Sequence, residues 1–430
     1  MGRRTVAVVG GGCAGVLLTR ELLRCTGDDV VLIEPREPGG GVAYGAAQPW
    51  HILNSRAGAM SADTDDPDDF VRWANATRDD FLGRRDYGRY LSETLAAAAT
   101  AAPGRLRVSR TRATSIRAGM VSMMDGSAVR ADHVVLAVGN PAGERPAAAP
   151  GHPAYVADPW RPGALDAVPA GAPVLLLGTG LTAVDVALSL TAGGRSAPIT
   201  AVSRRGLLPL SHTRTAPLPT ITGLDGCRTL RDVIRAVRAS ADASGDWRAV
   251  VDGLRPRLDQ LWAAFTPSEQ EAFLRHLARP WECHRHRMAP DVAARIAALR
   301  AAGLLRVRAG GVRSIAPRPN GGLVADGERF AAVANCAGPG RLPAAAPAVV
   351  RDLLDAGLAR VGPHRLGLDV DPAGRVVAAD GVAHPWLWAL GPMRRGVLWE
   401  TTAVPEIRAQ ARRLVADLRT PHAARVLAAA

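Results

Sequence analysis

Two stretches constrain the fold of this chain more than any other. "VAVVGGGCAGVLLTREL" begins at Val6, and "VLLLGTGLTAVDVALSL" begins at Val174. Each is an apolar run that breaks on glycines and resumes with helical spacing, so each reads strand, tight turn, helix. The first continues into a further strand, "DVVLIE", and the second into "ITAVSRR" at 199–205. In the first turn Gly10, Gly12 and Gly15 stand as G-x-G-x-x-G. Gly10 allows the tight turn, Gly12 lets the backbone approach a ligand, and Gly15 lets helix and strand pack closely. The second turn has Gly178, Gly180 and Ala183, the variant with alanine at the packing position.

The strands beyond the two turns end in opposite charge. Free N–H groups at such a helix start face the phosphates of a dinucleotide. Glu34 ends the strand after the first turn, where a carboxylate accepts hydrogen bonds from ribose hydroxyls. That carboxylate would repel a 2'-phosphate, so the first site suits FAD or NAD and disfavours NADP. After the second turn the strand ends in Ser203, Arg204 and Arg205. Two guanidiniums there can fork onto a 2'-phosphate and the serine can donate a hydrogen bond, which favours NADPH. The economical reading is a flavin held by the first site and a nicotinamide visiting the second, with hydride passing between stacked rings.

The predicted fold class is therefore α/β: two Rossmann-like dinucleotide-binding domains, for FAD and NADPH, with a largely helical insertion. An FAD-binding domain is expected over 1–145 and 330–430, and an NADPH-binding domain over 170–330, with the insertion at about 211–300. Residues 140–173 are dense in proline and alanine and read as a surface connection and domain boundary. "PREPGGGVAYG" reads as a glycine-rich loop. In "SADTDDPDDFVRWAN" Asp66 suits a helix cap, Pro67 the first helical position, and Asp68 and Asp69 the positive end of the dipole. "TPSE" at 266–269 is a capping box, and "PDVAARIAALRAAG" an amphipathic helix closed by Gly303. The last ten residues read as a frayed tail.

Composition excludes several classes. The formal net charge is +13, but all 53 basic residues are arginine, spread along the chain, and aromatic residues make up only 4%. That is a bias towards Arg rather than a base-stacking platform, and no nucleic-acid module is present. The five cysteines, Cys13, Cys25, Cys227, Cys283 and Cys336, form no C-x-x-C, so neither a zinc knuckle nor a redox dithiol is expected. Free thiols suggest a reducing cytoplasm. The Arg3–Arg4 pair opens the first strand rather than an export signal, and no apolar run is long enough to span a membrane. His284 and His286 lack a third ligand and are flanked by Arg285 and Arg287, so no metal is expected. His284, Arg285 and Arg287 are instead candidate contacts for an acidic substrate or phosphate.

Longer stretches add a resemblance. "GGGVAYG" at 39–45, "HILNSRAGAMSADTDDPDDFVRW" at 51–73, "LLGTGLTAVDVALSL" with "SRRGLLP", "HRHRMAPDVAARI" at 284–296 and "LWETTAVPEIRAQA" at 398–411 resemble the bacterial FAD-NAD(P)-binding family of two-dinucleotide-binding-domain flavoproteins. The superfamily includes flavin disulfide reductases, N-hydroxylating monooxygenases and Baeyer–Villiger enzymes. Members of the family carry out flavin-dependent hydroxylation, including oxidation of urate and N-oxygenation of amino groups. The resemblance implies an NADPH-reduced, FAD-dependent monooxygenase. O2 would be activated as a peroxide at the flavin C4a carbon, and a small polar or anionic substrate would be hydroxylated at an amino group or a heterocycle. The insertion is the candidate substrate lid. An NAD(P)H:acceptor oxidoreductase without oxygen insertion and a non-catalytic nucleotide-binding protein are the alternatives.

The resemblance also implies the contacts. On the flavin side are Gly10, Gly12, Cys13, Ala14, Gly15, Glu34, Pro35, Val42 and Tyr44, and then Asn54, Met60 and Ser61, with Asn54 and Ser61 as donors. Gly139 and Gly391 come next, then Trp399, Thr401 and Thr402. Gly139 and Gly338 would allow close passage of the crossover segments by the cofactor, and Trp399 would lie near the isoalloxazine. Thr402 would cap the last helix, with Pro405 in its first turn. On the nicotinamide side are Gly178, Gly180, Leu181, Thr182, Ala183, Ser203, Arg204 and Arg205. One departure stands out: the last flavin motif usually reads Gly-Asp, and here it is Gly391–Pro392. The flavin grip at that point must come from backbone atoms or from elsewhere.

Overall fold

The strand Thr5–Val9 is apolar along its whole length because both of its faces are covered: Val6, Ala7 and Val8 are completely buried. In a computed structural model of the protein, which describes residues 3–143, 151–319 and 321–419, this strand is central to a six-stranded sheet. The order is Arg375–Val377, Ala383–Ala389, His133–Leu136, Thr5–Val9, Asp29–Ile33 and Leu106–Ser109. All pairs are parallel except the one at the Arg375–Val377 edge. The helix Cys13–Cys25 follows the first glycine turn, as predicted. An antiparallel sheet of Ala113–Arg117, Met120–Met123 and Ala128–Arg130 supplies Ile116 and Val121 to the same core as Val9, Ile33, Leu136 and Leu387.

By its contacts the chain divides into two compact units. The first comprises 1–49, 55–142 and 339–430; the second comprises 50–54 and 143–338. The second is built on a fully parallel sheet in the order Leu305–Ala309, Ile199–Ser203, Val174–Leu177, Ala332–Asn335 and Tyr155–Val156. Val174–Leu177 is buried throughout and leads through the second glycine turn into the helix Leu181–Thr191.

The insertion is helical over Leu230–Ser244, Trp247–Leu254, Leu258–Ala264, Pro267–His276, Ala278–Arg285 and Pro290–Ala301. It has a small core of its own around Val233, Val250, Leu254, Leu258 and Leu261. The capping box forms: the Glu269 N–H donates to the Thr266 hydroxyl at 3.3 Å, and the Thr266 N–H to the Glu269 carboxylate at 3.0 Å. Gly303 follows Pro290–Ala301 in the left-handed region, at φ +71°.

Some expectations shift. Within the expected loop, Gly41–Gly45 closes a short helix, with the Tyr44 and Gly45 N–H groups both on the Gly40 carbonyl. The helix near Asp66 starts later, at Asp69, with Asp68 in the cap position. The Asp66 carboxylate instead accepts from the Asp68 N–H at 3.3 Å, a local turn that competes with helix entry. Residues 211–229 contain one turn, Leu224–Gly226, rather than a helix; Pro217 and Pro219 remove the donors a helix there would need. The expected frayed tail lies outside the described residues.

Candidate functional site: two glycine turns

In the first turn each glycine has its own reason. Gly10 sits at φ +106°, and a Cβ on it would meet the Ala137 carbonyl oxygen at 2.5 Å. A Cβ on Gly15 would fall 1.8 Å from the Gly10 carbonyl oxygen, so helix and turn touch backbone to backbone. On Gly12 it would meet nothing nearer than Gly41 Cα at 3.6 Å, which leaves the helix start open on that side. Gly12 caps the helix without any side-chain hydrogen bond, and the first turn holds no acidic residue. The first intrahelical bond runs from the Val16 N–H to the Gly12 carbonyl, so the N–H groups ahead of it have no acceptor in the helix.

Around this start the unit gathers polar and apolar groups. Glu34 is buried, and its carboxylate accepts from the Gly11 N–H at 2.8 Å and the Arg36 N–H at 3.1 Å. The Gly39 N–H donates to the Gly11 carbonyl at 2.8 Å, which docks the 39–45 segment on the turn. Val42, in that segment, is 57% exposed, an apolar side chain left uncovered by protein. Tyr44 meets Tyr87 edge-on at 4.9 Å. Cys13, at the first helical position, is a protonated thiol: burial pushes it up to about 12, against the lowering influence of the nearby Tyr87 and Tyr44 hydroxyls. Ala14 is buried, and Pro35 half-buried.

The C-terminal segment reaches the same turn. A Cβ on Gly391, at φ +71°, would lie 3.5 Å from Ala14 Cβ. Its N–H donates to the Gln410 side-chain oxygen at 3.0 Å, and its carbonyl accepts from the Thr401 hydroxyl at 2.7 Å. Gln410 closes the triangle by donating to the Thr401 hydroxyl oxygen at 2.9 Å. Sequence reasoning missed Gln410, although it is a polar residue on the apolar stripe of Ile407, Ala411 and Leu414. The Gly391 N–H and carbonyl are thus both engaged within the protein.

The structure gives the other flavin-side residues these surroundings. Ser61 is fully buried; its hydroxyl donates to the Asp66 carbonyl at 2.5 Å and accepts from the Asp63 N–H at 3.0 Å, so it closes a turn instead of donating to a cofactor. Met60 is core. Asn54 belongs to the second unit, where its carbonyl meets His212 Nε2 at 3.0 Å. The preceding His51 and Trp50 bond Ser189 there, at 2.9 and 3.1 Å. Thr401 serves Gly391, and Thr402 is exposed. The helix Val404–Arg419 begins with the Ile407 N–H on the Ala403 carbonyl, so Ala403 rather than Thr402 holds the cap position, with Pro405 in the first turn. Trp399 is 6% exposed, and the Arg395 guanidinium lies over its ring at 4.8 Å. Gly139 and Gly338 have positive φ, and a Cβ on either would meet nothing within 4 Å, so backbone conformation rather than protein crowding calls for glycine there.

The second turn repeats the geometry. Gly178 is at φ +125°, and a Cβ there would lie 2.2 Å from the Cys336 carbonyl oxygen. Gly180 caps Leu181–Thr191 with no side-chain hydrogen bond and no acid in the first turn. Ala183 is buried, while Leu181 and Thr182 are half-buried. Arg204 and Arg205 are exposed and make no hydrogen bond among the described residues. Ser203 differs from expectation: Thr179, which donates to the Leu207 carbonyl at 2.6 Å, takes the Ser203 proton at 2.8 Å, and Ser203 accepts from the Gly206 N–H at 3.2 Å. Ser203 braces the turn and has no proton left for a phosphate.

Residues 7–141 match the family model described as FAD-NAD(P)-binding. The chain carries an FAD-NAD(P)-binding domain. No curated protein matches the sequence. Among solved structures, the chain is similar over 97% of its length to a cadaverine monooxygenase of desferrioxamine biosynthesis from Erwinia amylovora, at 13% identity, a TM-score of 0.68 and 95% of that chain. An ornithine N-hydroxylase from Kutzneria sp. 744 gives 13% and 0.65, and L-lysine 6-monooxygenase from Pseudomonas syringae 14% and 0.63, each over 97% of this chain and 99% of theirs. At these identities the likeness is one of fold, and the FAD-NAD(P)-binding domain of this chain shares it.

Outside the turns, the expected substrate contacts lie in the insertion. Arg287 is 2% exposed and paired with Asp252 at 2.5 Å, so its charge is met within the protein. His284 Nδ1 meets the Pro280 carbonyl at 2.7 Å, and its ring packs edge-on against Trp247 at 4.7 Å. Arg285, on the same helix, is half-buried. None of the cysteines forms a disulfide, and burial raises all five thiols above their ordinary value. No helix among the described residues is long and apolar enough to cross a membrane.

Proposed function

We propose that the protein is a flavin-dependent monooxygenase, with FAD resident at the first turn and NADPH visiting the second. One observation carries this: two glycine-capped helix starts with no side-chain cap, one beside a buried carboxylate and the other beside two unpaired arginines. Orphan N–H groups at a helix start are anion sites. The carboxylate at the first selects against a 2'-phosphate and the arginines at the second select for one. The residues fit the cofactors: the face of Gly12 is open and Val42 stands uncovered beside it.

Bound and reduced, a flavin supplies the electrons and the carbon centre at which dioxygen is activated. The chain's own contribution is placement. Gly10, Gly12 and Gly15 bring the helix start to the pyrophosphate. Glu34, fixed by the Gly11 and Arg36 N–H groups, presents an oxygen to the ribose. The five cysteines form no C-x-x-C and no disulfide, which favours oxygen insertion over a disulfide reductase. The ornithine hydroxylase of shared fold was solved with reduced FAD, NADP+ and L-ornithine, which supports a small amine, or another small polar or anionic molecule, as substrate.

The test is aerobic turnover with NADPH and ornithine, lysine, cadaverine or urate, followed by mass spectrometry. A product heavier by one oxygen atom supports the proposal. NADPH consumption that yields only peroxide with every probe but reduces a quinone would favour an acceptor oxidoreductase. Purified protein that neither retains nor takes up FAD would favour a non-catalytic role.

A further inference from the structure

We infer that Arg279, from the helical insertion, is the clamp for the pyrophosphate of the visiting dinucleotide. The inference rests on the assignment of NADPH to the second turn. Arg279 lies in Ala278–Arg285, a hundred residues after the turn in sequence, yet its guanidinium sits on it. Nη2 donates to the Thr179 carbonyl at 3.0 Å, the Thr179 hydroxyl oxygen at 3.3 Å and the Leu207 carbonyl at 2.5 Å. These bonds leave the other arm pointing at the helix start: Nη1 is 3.7 Å from where a Cβ on Gly180 would stand. Nη1 makes no hydrogen bond among the described residues and forms only a loose ion pair with Glu282, at 3.7 Å.

Glu282 meets this charge only at 3.7 Å, beyond hydrogen-bond distance, so the guanidinium can still take up an anion as a hydrogen-bond donor. The N-terminus of Leu181–Thr191 already carries the positive end of the helix dipole, with no acidic residue in its first turn. Adding a cation raises the local potential further. A bridging pyrophosphate would accept from the N–H groups beyond Gly180 and from Nη1 together, a charge-assisted contact of the kind arginine forms with phosphate. Thr179 is the positioning residue: with its carbonyl and hydroxyl oxygens, and with Leu207, it fixes the guanidinium at Nη2 and leaves Nη1 without a hydrogen bond. The division of labour is then specific. Arg279 reads the pyrophosphate common to all nicotinamide dinucleotides, whereas Arg204 and Arg205 read the 2'-phosphate. Nothing in the local sequence "LARPWECHR" marks Arg279; only the folded chain brings it to the turn.

The experiment is isothermal titration of flavin-loaded protein, which keeps the first site filled, with NADPH, ADP-ribose and 2'-AMP. For Arg279→Gln, affinity for NADPH and ADP-ribose is expected to fall about ten- to a hundredfold, the range for one charge-assisted hydrogen bond, with 2'-AMP unchanged. Arg279→Lys, which keeps the charge, is expected to recover part of the ADP-ribose affinity. Arg204→Ala is expected to do the reverse, weakening NADPH and 2'-AMP and sparing ADP-ribose. If Arg279→Gln leaves ADP-ribose binding intact, or weakens 2'-AMP equally, the clamp is overturned while the NADPH assignment stands. If unaltered protein binds none of the three, the assignment itself fails, and the clamp with it.

Discussion

Gly15 and Gly12 look equivalent in the fingerprint, but the structure asks different things of them. A methyl group on Gly15 would drive into the Gly10 carbonyl, whereas on Gly12 it would occupy open space. Gly15→Ala is therefore expected to cost stability, by about 1–3 kcal/mol as overpacking does, seen as a lower Tm. Gly12→Ala is expected to fold normally and lose FAD, seen as a colourless protein whose Tm matches that of the unaltered protein stripped of FAD. The thiols give a pH prediction. Because folding raises their pKa above the ordinary 9.0, the protonated thiols contribute stability in full below that value, and the contribution is lost as the pH climbs through the folded values. Iodoacetamide at neutral pH is expected to label Cys283 and Cys336 far more slowly in native than in unfolded protein; equal rates at these two would contradict their burial. At this scale backbone demands were legible and proton destinations were not. Glycine at a turn has one explanation, but a hydroxyl such as that of Ser61, Thr401 or Ser203 can serve the protein or a ligand, and all three serve the protein.

Helices divide into those that finish their own caps and those that do not. Thr266 and Glu269 close the start of Pro267–His276, and Asp246 closes that of Trp247–Leu254. The two helices after the glycine turns have no such closure. Thr266→Ala is expected to lower stability by about 1 kcal/mol and leave nucleotide affinity unchanged, checked by thermal melting beside titration. Gln410→Leu strands a buried N–H on Gly391 and removes the donor to the Thr401 hydroxyl oxygen, with an expected cost of about 1–3 kcal/mol and weaker flavin retention on dilution. Full retention would show that Gly391 does not shape the first site. Capping signals three residues apart could be read from sequence because both partners are local. The Gln410–Gly391 bond spans nineteen residues and two elements, so only its misplaced polarity hinted at it.

On the scale of the whole chain, the two strand–turn–helix units, the insertion and the returning C-terminal segment were all legible, because apolar period and glycine spacing are written locally. The 50–61 stretch was not. It reads as one segment around a cofactor, yet Trp50–Asn54 packs on the second unit through Ser189, and the residues from Ser55 onward belong to the first. Arg279 was missed for the same reason: its meaning depends on where the insertion folds back. The central claim is that one turn keeps a flavin and the other admits its reductant, selected by the 2'-phosphate. The most direct measurement is anaerobic stopped-flow bleaching of the bound flavin by NADPH and by NADH, in the unaltered protein and in Arg204→Ala. A yellow protein reduced at much lower concentrations of NADPH than of NADH, with that preference lost in the variant, is the expected result. A protein without flavin, or one reduced equally by both nucleotides before and after the substitution, would contradict it.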